Sequence, residues 1–306
     1  MYAPSIGGCE IVCKNIAEEL HKNKHEVFIF THRHKQRVLS DFPYKIIEFN
    51  GPADAPVFVR KLKSLEPDVI LVYSDLFDFF KYLISENIKS RFIICLCGAN
   101  WLYENQNFIG LFKKNIANFH KIICHSKCNR DYKLCENSGI LDKIMVIPNG
   151  VWLNEFDNNE LSRKDLLPDC ADKMWILNVS NFFPGKGQEH IIDIIAGMKD
   201  LQHLVYIQVC SDIGYPIGQL LEESWKRKIE VSGLKKKGLT VKFLKNINRS
   251  KVVGFFKNSN VMCFSSETEI FPLTLLEAMA SRLPWISADV GNAEELLGGQ
   301  CIKTVK

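Results

Sequence analysis

Apolar runs of strand length alternate with helix-patterned stretches along the whole chain, and this alternation limits the fold more than any single motif does. Candidate strands occupy 26–31, 68–73, 91–97, 121–125 and 143–147, and a second series occupies 174–180, 204–210, 239–244, 260–264 and 284–288. They read as continuous apolar runs, as expected of strands buried on both faces by helices. Between them lie amphipathic stretches such as Cys9, Val12, Cys13, Ile16 and Leu20, spaced along one helical face. The pattern is α/β with parallel sheets, twice over. At about 150 residues per domain, 306 residues also give two domains. The boundary is expected after Ile147-Pro148-Asn149-Gly150-Val151, giving domains 1–153 and 154–306, with 154–173 read as a linker plus a short helix.

Charge excludes some partners. Lys and Arg total 39 against 35 Asp and Glu, a net +4 spread along the chain, which is no nucleic-acid footprint. No apolar stretch approaches the roughly 18 residues of a membrane span, and no basic-then-apolar leader opens the sequence. The 11 cysteines fall mostly in apolar strand-like runs and are read as reduced thiols of a cytoplasmic protein. His120, Cys124, His125, Cys128 and Cys135 could suggest a metal, but they lack paired Cys-x-x-Cys knuckles, so no metal site is expected there.

In open parallel sheets, ligands bind beyond the carboxyl ends of strands, so the loops after strands are the place to look for chemistry. No Gly-x-Gly-x-x-Gly, Walker loop, Gly-x-Ser-x-Gly elbow, His-Glu-x-x-His or Asp-x-Asp occurs. Three loops stand out instead. After the strand at 260–264, Glu269 and Glu277 are separated by seven residues, with Pro272 placed to open a helix whose Leu273, Leu276 and Ala280 would face the core. The first-turn N–H groups of such a helix suit a phosphate, and Glu277 could accept ribose hydroxyls from inside it. The alternative is a surface helix with two solvated glutamates. After the strand at 174–180 comes Asn181-Phe182-Phe183-Pro184-Gly185-Lys186-Gly187, where glycines let the backbone approach a ligand and Lys186 offers a compact charge to a diphosphate. The third loop is Gly7-Gly8, running into the first helix.

Taken in order with Lys24-His25-Glu26-Val27, Ile147-Pro148-Asn149-Gly150-Val151 and Ser281-Arg282-Leu283-Pro284, these loops resemble the retaining family-four glycosyltransferases (GT4) over nearly the whole chain. The resemblance implies a GT-B fold: two Rossmann-like parallel-sheet domains facing across a cleft. It also implies transfer of a sugar from a nucleotide diphosphate sugar to a hydroxyl with retention, with no bound metal and no cofactor. Carried over by position, Glu269 and Lys186 are the catalytic pair, one beside the donor sugar and the other on the diphosphate. Glu277 takes the ribose, and Phe271, Leu273, Gly185, Gly187 and Asn181 complete the donor side. Gly7, Gly8 and Asn100 belong to the loops lining the cleft.

Asn181 stands where the family usually has an Arg, and the loop Cys97-Gly98-Ala99-Asn100-Trp101 stands where many members carry a His. Set against the family, the chain is expected to lack the first strand and the closing C-terminal helices. A helical face of Phe108, Ile109, Phe112, Ile116 and Phe119 flanked by Lys113, Lys114 and Lys121 has two readings, an ordinary core-facing helix or a peripheral membrane contact suited to a lipid-linked acceptor. The alternatives to a transferase of glycans, lipid-linked or small acceptors are a sugar-nucleotide epimerase of the same architecture and a non-catalytic nucleotide-sugar binder. Glu269→Ala would abolish transfer in an enzyme and leave a binder with nothing to lose.

Overall fold

The computed structural model describes residues 7–34, 37–73, 86, 88–97, 115–116, 118–212 and 216–298. The chain divides into two compact units, Met1–Asn149 and Gly150–Lys306.

In the first unit, α1 (Gly8–Lys22) leads to β1 (Phe28–His32) and β2 (Lys45–Phe49), which pair in parallel. Then come α2 (Ala55–Leu65), β3 (Val69–Tyr73), β4 (Arg91–Cys95), β5 (Lys121–Cys124), α3 (Arg130–Glu136) and β6 (Ile144–Val146). The last four strands form a parallel sheet in the order β3-β4-β5-β6. Phe58, Val59 and Leu62 of α2 pack with Val72, Ile94 and Ile122 in its core. Asn129 caps α3 by accepting a hydrogen bond from the Tyr132 N–H at 2.9 Å. Ile116 and Phe119, from the helical face weighed above, are buried in this core, while its Phe108, Ile109 and Phe112 lie outside the described residues.

β2 is the strand that apolar patterning does not reveal. Its Lys45-Ile46-Ile47-Glu48-Phe49 carries two charges, and Glu48 takes up a guanidinium from Arg37 in a close ion pair.

The second unit begins with α4 (Leu153–Asp157) and α5 (Arg163–Leu166), the latter held by a capping box of Ser162 and Asp165. This stretch is not the linker expected from its polarity. Phe156, Leu167 and Cys170 are core residues, and Lys257 Nζ donates to the Phe156 and Asn159 carbonyls at 2.6 Å each. Alternation follows through β7 (Met174–Val179), α6 (Gln188–Ala196), β8 (Leu204–Cys210), α7 (Pro216–Val231), β9 (Thr240–Lys245), α8 (Arg249–Asn258), β10 (Val261–Phe264), α9 (Leu273–Ala280), β11 (Trp285–Ser287) and α10 (Ala293–Leu296).

The five strands are all parallel in the order β11-β10-β7-β8-β9. Strand periodicity gives this sheet two cores. Trp175, Leu177, Val205 and Ile207 pack with Phe255 and Leu275 on one face, while Ile176 and Tyr206 pack with Ile192 and Trp225 on the other. The chain runs outward from β7 through β8 to β9 and then returns to β10 on the other side of β7. Order therefore reverses between β7 and β10, the switch point at which doubly wound sheets bind ligands.

Candidate functional site

Both loops singled out in the second half of the sequence leave the sheet at this switch point. The Gly-Lys-Gly loop follows β7 and the Glu269 loop follows its neighbour β10. They are tied together through the backbone. The Glu267 N–H donates to the Gly185 carbonyl at 2.8 Å, and the Ser265 hydroxyl donates to the Lys186 carbonyl at 3.1 Å. Gly185 and Gly187 both have left-handed φ, +79° and +62°. At Gly187 a Cβ would fall 2.3 Å from the Ser265 carbonyl oxygen, so the approach of the two loops itself requires glycine.

This folding brings Lys186 and Glu269 together, Nζ to Oε1, at 2.5 Å. The pair is sheltered but open at one side, with side-chain exposures of 27% and 14%. In the same loop the buried Ser266 and Thr268 hydroxyls have no hydrogen-bond partner among the described residues. Phe271 and Leu273 are buried at the start of α9, whose first turn ends beside this loop. Pro272 is the N-cap of α9 rather than its first helical residue, and Leu275 and Ala278 rather than Leu276 and Ala280 are its most buried apolar residues. The eight-residue helix is buried on most sides, which a one-faced amphipathic reading understates.

Glu277 is 4% exposed, so the reading of α9 as a surface helix with solvated glutamates fails. Its Oε1 accepts from Arg249 Nη1 at 2.5 Å, and Arg249 also reaches Glu155 Oε2 at 2.8 Å. Burial pushes the Glu277 carboxyl above its usual range, an effect the Arg249 guanidinium only partly offsets. Burial alone would lower Arg249, but Glu277 and Glu155 outweigh it and hold the guanidinium more firmly protonated. The two directions agree on one picture, an ion pair whose desolvation costs much of its Coulombic gain. Sequence reasoning missed Arg249, because Asn248-Arg249-Ser250-Lys251 reads as an ordinary helix start and nothing in it points to a glutamate 28 residues further on.

Asn181 does not face the Lys186–Glu269 pair with a charge of its own. Its Oδ1 accepts from the Ser211 N–H at 2.7 Å, and its carbonyl accepts from Gln188 Nε2 at 2.9 Å, so it braces the ends of β7 and β8. Gly7 and Gly8 belong to the first unit, where Gly7 is the N-cap of α1 in an extended conformation and Gly8 its first residue. Asn100 lies outside the described residues. No helix among the described residues is long and apolar enough to cross a membrane.

The family model "Glycosyl transferases group 1" matches residues 160–300, and "Glycosyltransferase Family 4" matches residues 6–155. Among named proteins, the chain is 23% identical over 97% of its length to the phosphatidylinositol N-acetylglucosaminyltransferase GPI3 subunit of Saccharomyces cerevisiae, spanning 68% of that protein. It is 25% identical over 92% of its length to an uncharacterised glycosyltransferase of Haemophilus influenzae, of which it spans 77%. Among solved structures, HepE of Anabaena in complex with UDP-glucose superposes with a TM-score of 0.78 at 18% identity, covering 97% of this chain and 81% of that one. With two family models meeting end to end along the sequence and GT-B enzymes as its structural neighbours, the chain belongs to the family-four glycosyltransferases.

Proposed function

We propose that the protein transfers a sugar from a uridine diphosphate sugar to a hydroxyl with retention at the anomeric carbon, and that it needs neither a metal nor a cofactor for this step. The observation that carries the reading is the Lys186–Glu269 pair at the β7/β10 switch point, beside the start of α9. A diphosphate arriving there meets an ammonium and the positive end of a helix, which together offset the charge on the departing phosphate oxygen. Lys186 exchanges its carboxylate partner for phosphate, freeing Glu269 to accept hydrogen bonds from the donor sugar. Glu277, kept in place by Arg249, takes the ribose hydroxyls with its second oxygen. The Ser266 and Thr268 hydroxyls gain partners when the loop closes on the ligand.

In the transfer, the bond from the anomeric carbon to the β-phosphate oxygen breaks, and a bond to the acceptor oxygen forms on the same face. The acceptor proton passes to the departing phosphate oxygen, so a second carboxylate near the anomeric carbon is not required. The choice of uridine draws on the UDP-glucose complex of HepE. A lipid-linked hydroxyl as acceptor draws on the phosphatidylinositol in the name of the yeast relative; a glycan hydroxyl as the alternative acceptor, and transfer in the cytoplasm at a membrane face, are part of the same proposal. The test incubates the protein with UDP-glucose and UDP-N-acetylglucosamine in excess chelator, with glycan and phosphatidylinositol acceptors, and reads product configuration by NMR. An α-linked product lost in Glu269→Ala supports the proposal; an inverted product, or turnover only with added metal, overturns it.

A further inference from the structure

A second cluster of reactive groups lies wholly in the first unit and has no part in the transfer chemistry above. Cys95 is the last residue of β4, Cys97 lies two residues on, and His125 directly follows β5. β4 and β5 are parallel neighbours with Cys95 opposite Ile123, so all three side chains leave the same carboxyl edge of the sheet. Cys95 Sγ lies 3.5 Å and Cys97 Sγ 3.9 Å from His125 Nε2, and the three ligand atoms are within 4.8 Å of one another. The Cys9 thiol, on the first turn of α1, lies outside this group of three. Cys95 and His125 are 2% and 5% exposed.

We propose that Cys95, Cys97 and His125 form a site for a zinc ion that fastens the carboxyl ends of β4 and β5 together at the edge of the β3–β6 sheet. Zinc with Zn–S near 2.3 Å and Zn–N near 2.05 Å sets sulfur and nitrogen about 3.6 Å apart at the tetrahedral angle, close to the two spacings found. The imidazole is already turned for the task. Its Nδ1 lies 3.0 Å from the Ile147 carbonyl, an acceptor only, so Nδ1 carries the proton and Nε2 presents its lone pair to the sulfurs. Two thiolates and one neutral imidazole suit zinc over harder cations. Binding releases the two thiol protons to solvent and leaves the site with no net charge.

The zinc grouping weighed from sequence, His120 to Cys135, is not the one the fold assembles. Cys124 and Cys135 are buried free thiols, Cys128 is exposed, and only His125 belongs to the new cluster. Two sulfurs and one nitrogen leave one position of a tetrahedral zinc open to a water molecule.

The test uses the full chain purified without chelator under a phosphine reductant. Zinc is counted by elemental mass spectrometry, and the apo protein is titrated with Co²⁺. One zinc per chain is expected, with the intense visible bands of tetrahedral thiolate-bound cobalt. Both should be lost in Cys97→Ser and in His125→Asn and kept in Cys128→Ser. A reduced wild-type chain that takes up neither metal overturns the proposal, as does full zinc content in both ligand variants. The cobalt spectrum of the wild type decides the matter even where a variant fails to fold.

Discussion

Replacing Gly187 by alanine tests whether the β7 and β10 loops are joined as closely as the site requires. Gly187 has φ +62°, which costs an L-residue about 1–2 kcal/mol. The new Cβ would lie 2.3 Å from the Ser265 carbonyl oxygen, where at least 3.0 Å is needed, so backbone at the end of β10 must give way by about 0.7 Å. Forcing a packed backbone apart in this way costs about 1–3 kcal/mol, and the stiffer unfolded chain adds about 0.4–1 kcal/mol in the other direction. The expected net loss is about 2–4 kcal/mol.

Gly185→Ala is the internal control. It shares the left-handed conformation, with φ +79°, but its Cβ would meet nothing nearer than the Thr268 methyl at 3.7 Å, so a loss of about 1 kcal/mol or less is expected. Urea unfolding followed by tryptophan fluorescence reads the second unit, where Trp175 and Trp225 are buried. Equal losses in the two variants, or a loss below about 1 kcal/mol in Gly187→Ala, would refute the argument from loop approach.

Other expectations concern charge. Arg249→Ala strands the buried Glu277 carboxylate and should cost about 3 kcal/mol by urea unfolding, with most of it recovered in Arg249→Ala/Glu277→Leu. Because burial raises Glu277 in the folded state, that form holds its proton longer than the unfolded chain and stability falls as pH rises through its range. The Arg249→Ala penalty should therefore be smaller near about pH 5 than near about pH 8. Burial acts to raise Glu222 too, but hydrogen bonds from Lys226 and Lys245 outweigh it and lower the carboxyl overall. Its contribution is present above the unfolded value of about 4.3 and lost as pH falls through the lower folded value, so Glu222→Gln should cost about 1 kcal/mol at neutral pH and nothing in strong acid.

The parallel framework was legible because strands buried on both faces write themselves as unbroken apolar runs. β8, buried at every position from Leu204 to Cys210, begins and ends where its sequence does. β2 escaped because Lys45 and Glu48 break its run, and 154–173 passed for a linker because its few anchors, Phe156, Leu167 and Cys170, are scattered among polar residues. On the candidate site, Lys186 and Glu269 could be named from their loops, since each follows a recognisable strand. Their meeting depends on the adjacency of β7 and β10, a matter of strand order that local sequence does not carry. The same is true of Arg249 with Glu277, and of Cys95 and Cys97 with His125, 30 and 28 positions further along the chain.

The central claim is that a nucleoside diphosphate binds at the β7/β10 switch point through Lys186. Calorimetric titration of UDP into the protein in excess chelator, with wild type, Lys186→Ala and Glu269→Gln side by side, tests it most directly. Loss of one charge-assisted phosphate contact is worth about 2 kcal/mol, so Lys186→Ala should weaken UDP on the order of thirty-fold. Glu269→Gln, which frees the lysine from its competing carboxylate, should bind UDP at least as tightly as wild type. Equal UDP affinity in wild type and Lys186→Ala, or binding that appears only when a divalent metal is restored, would contradict the account.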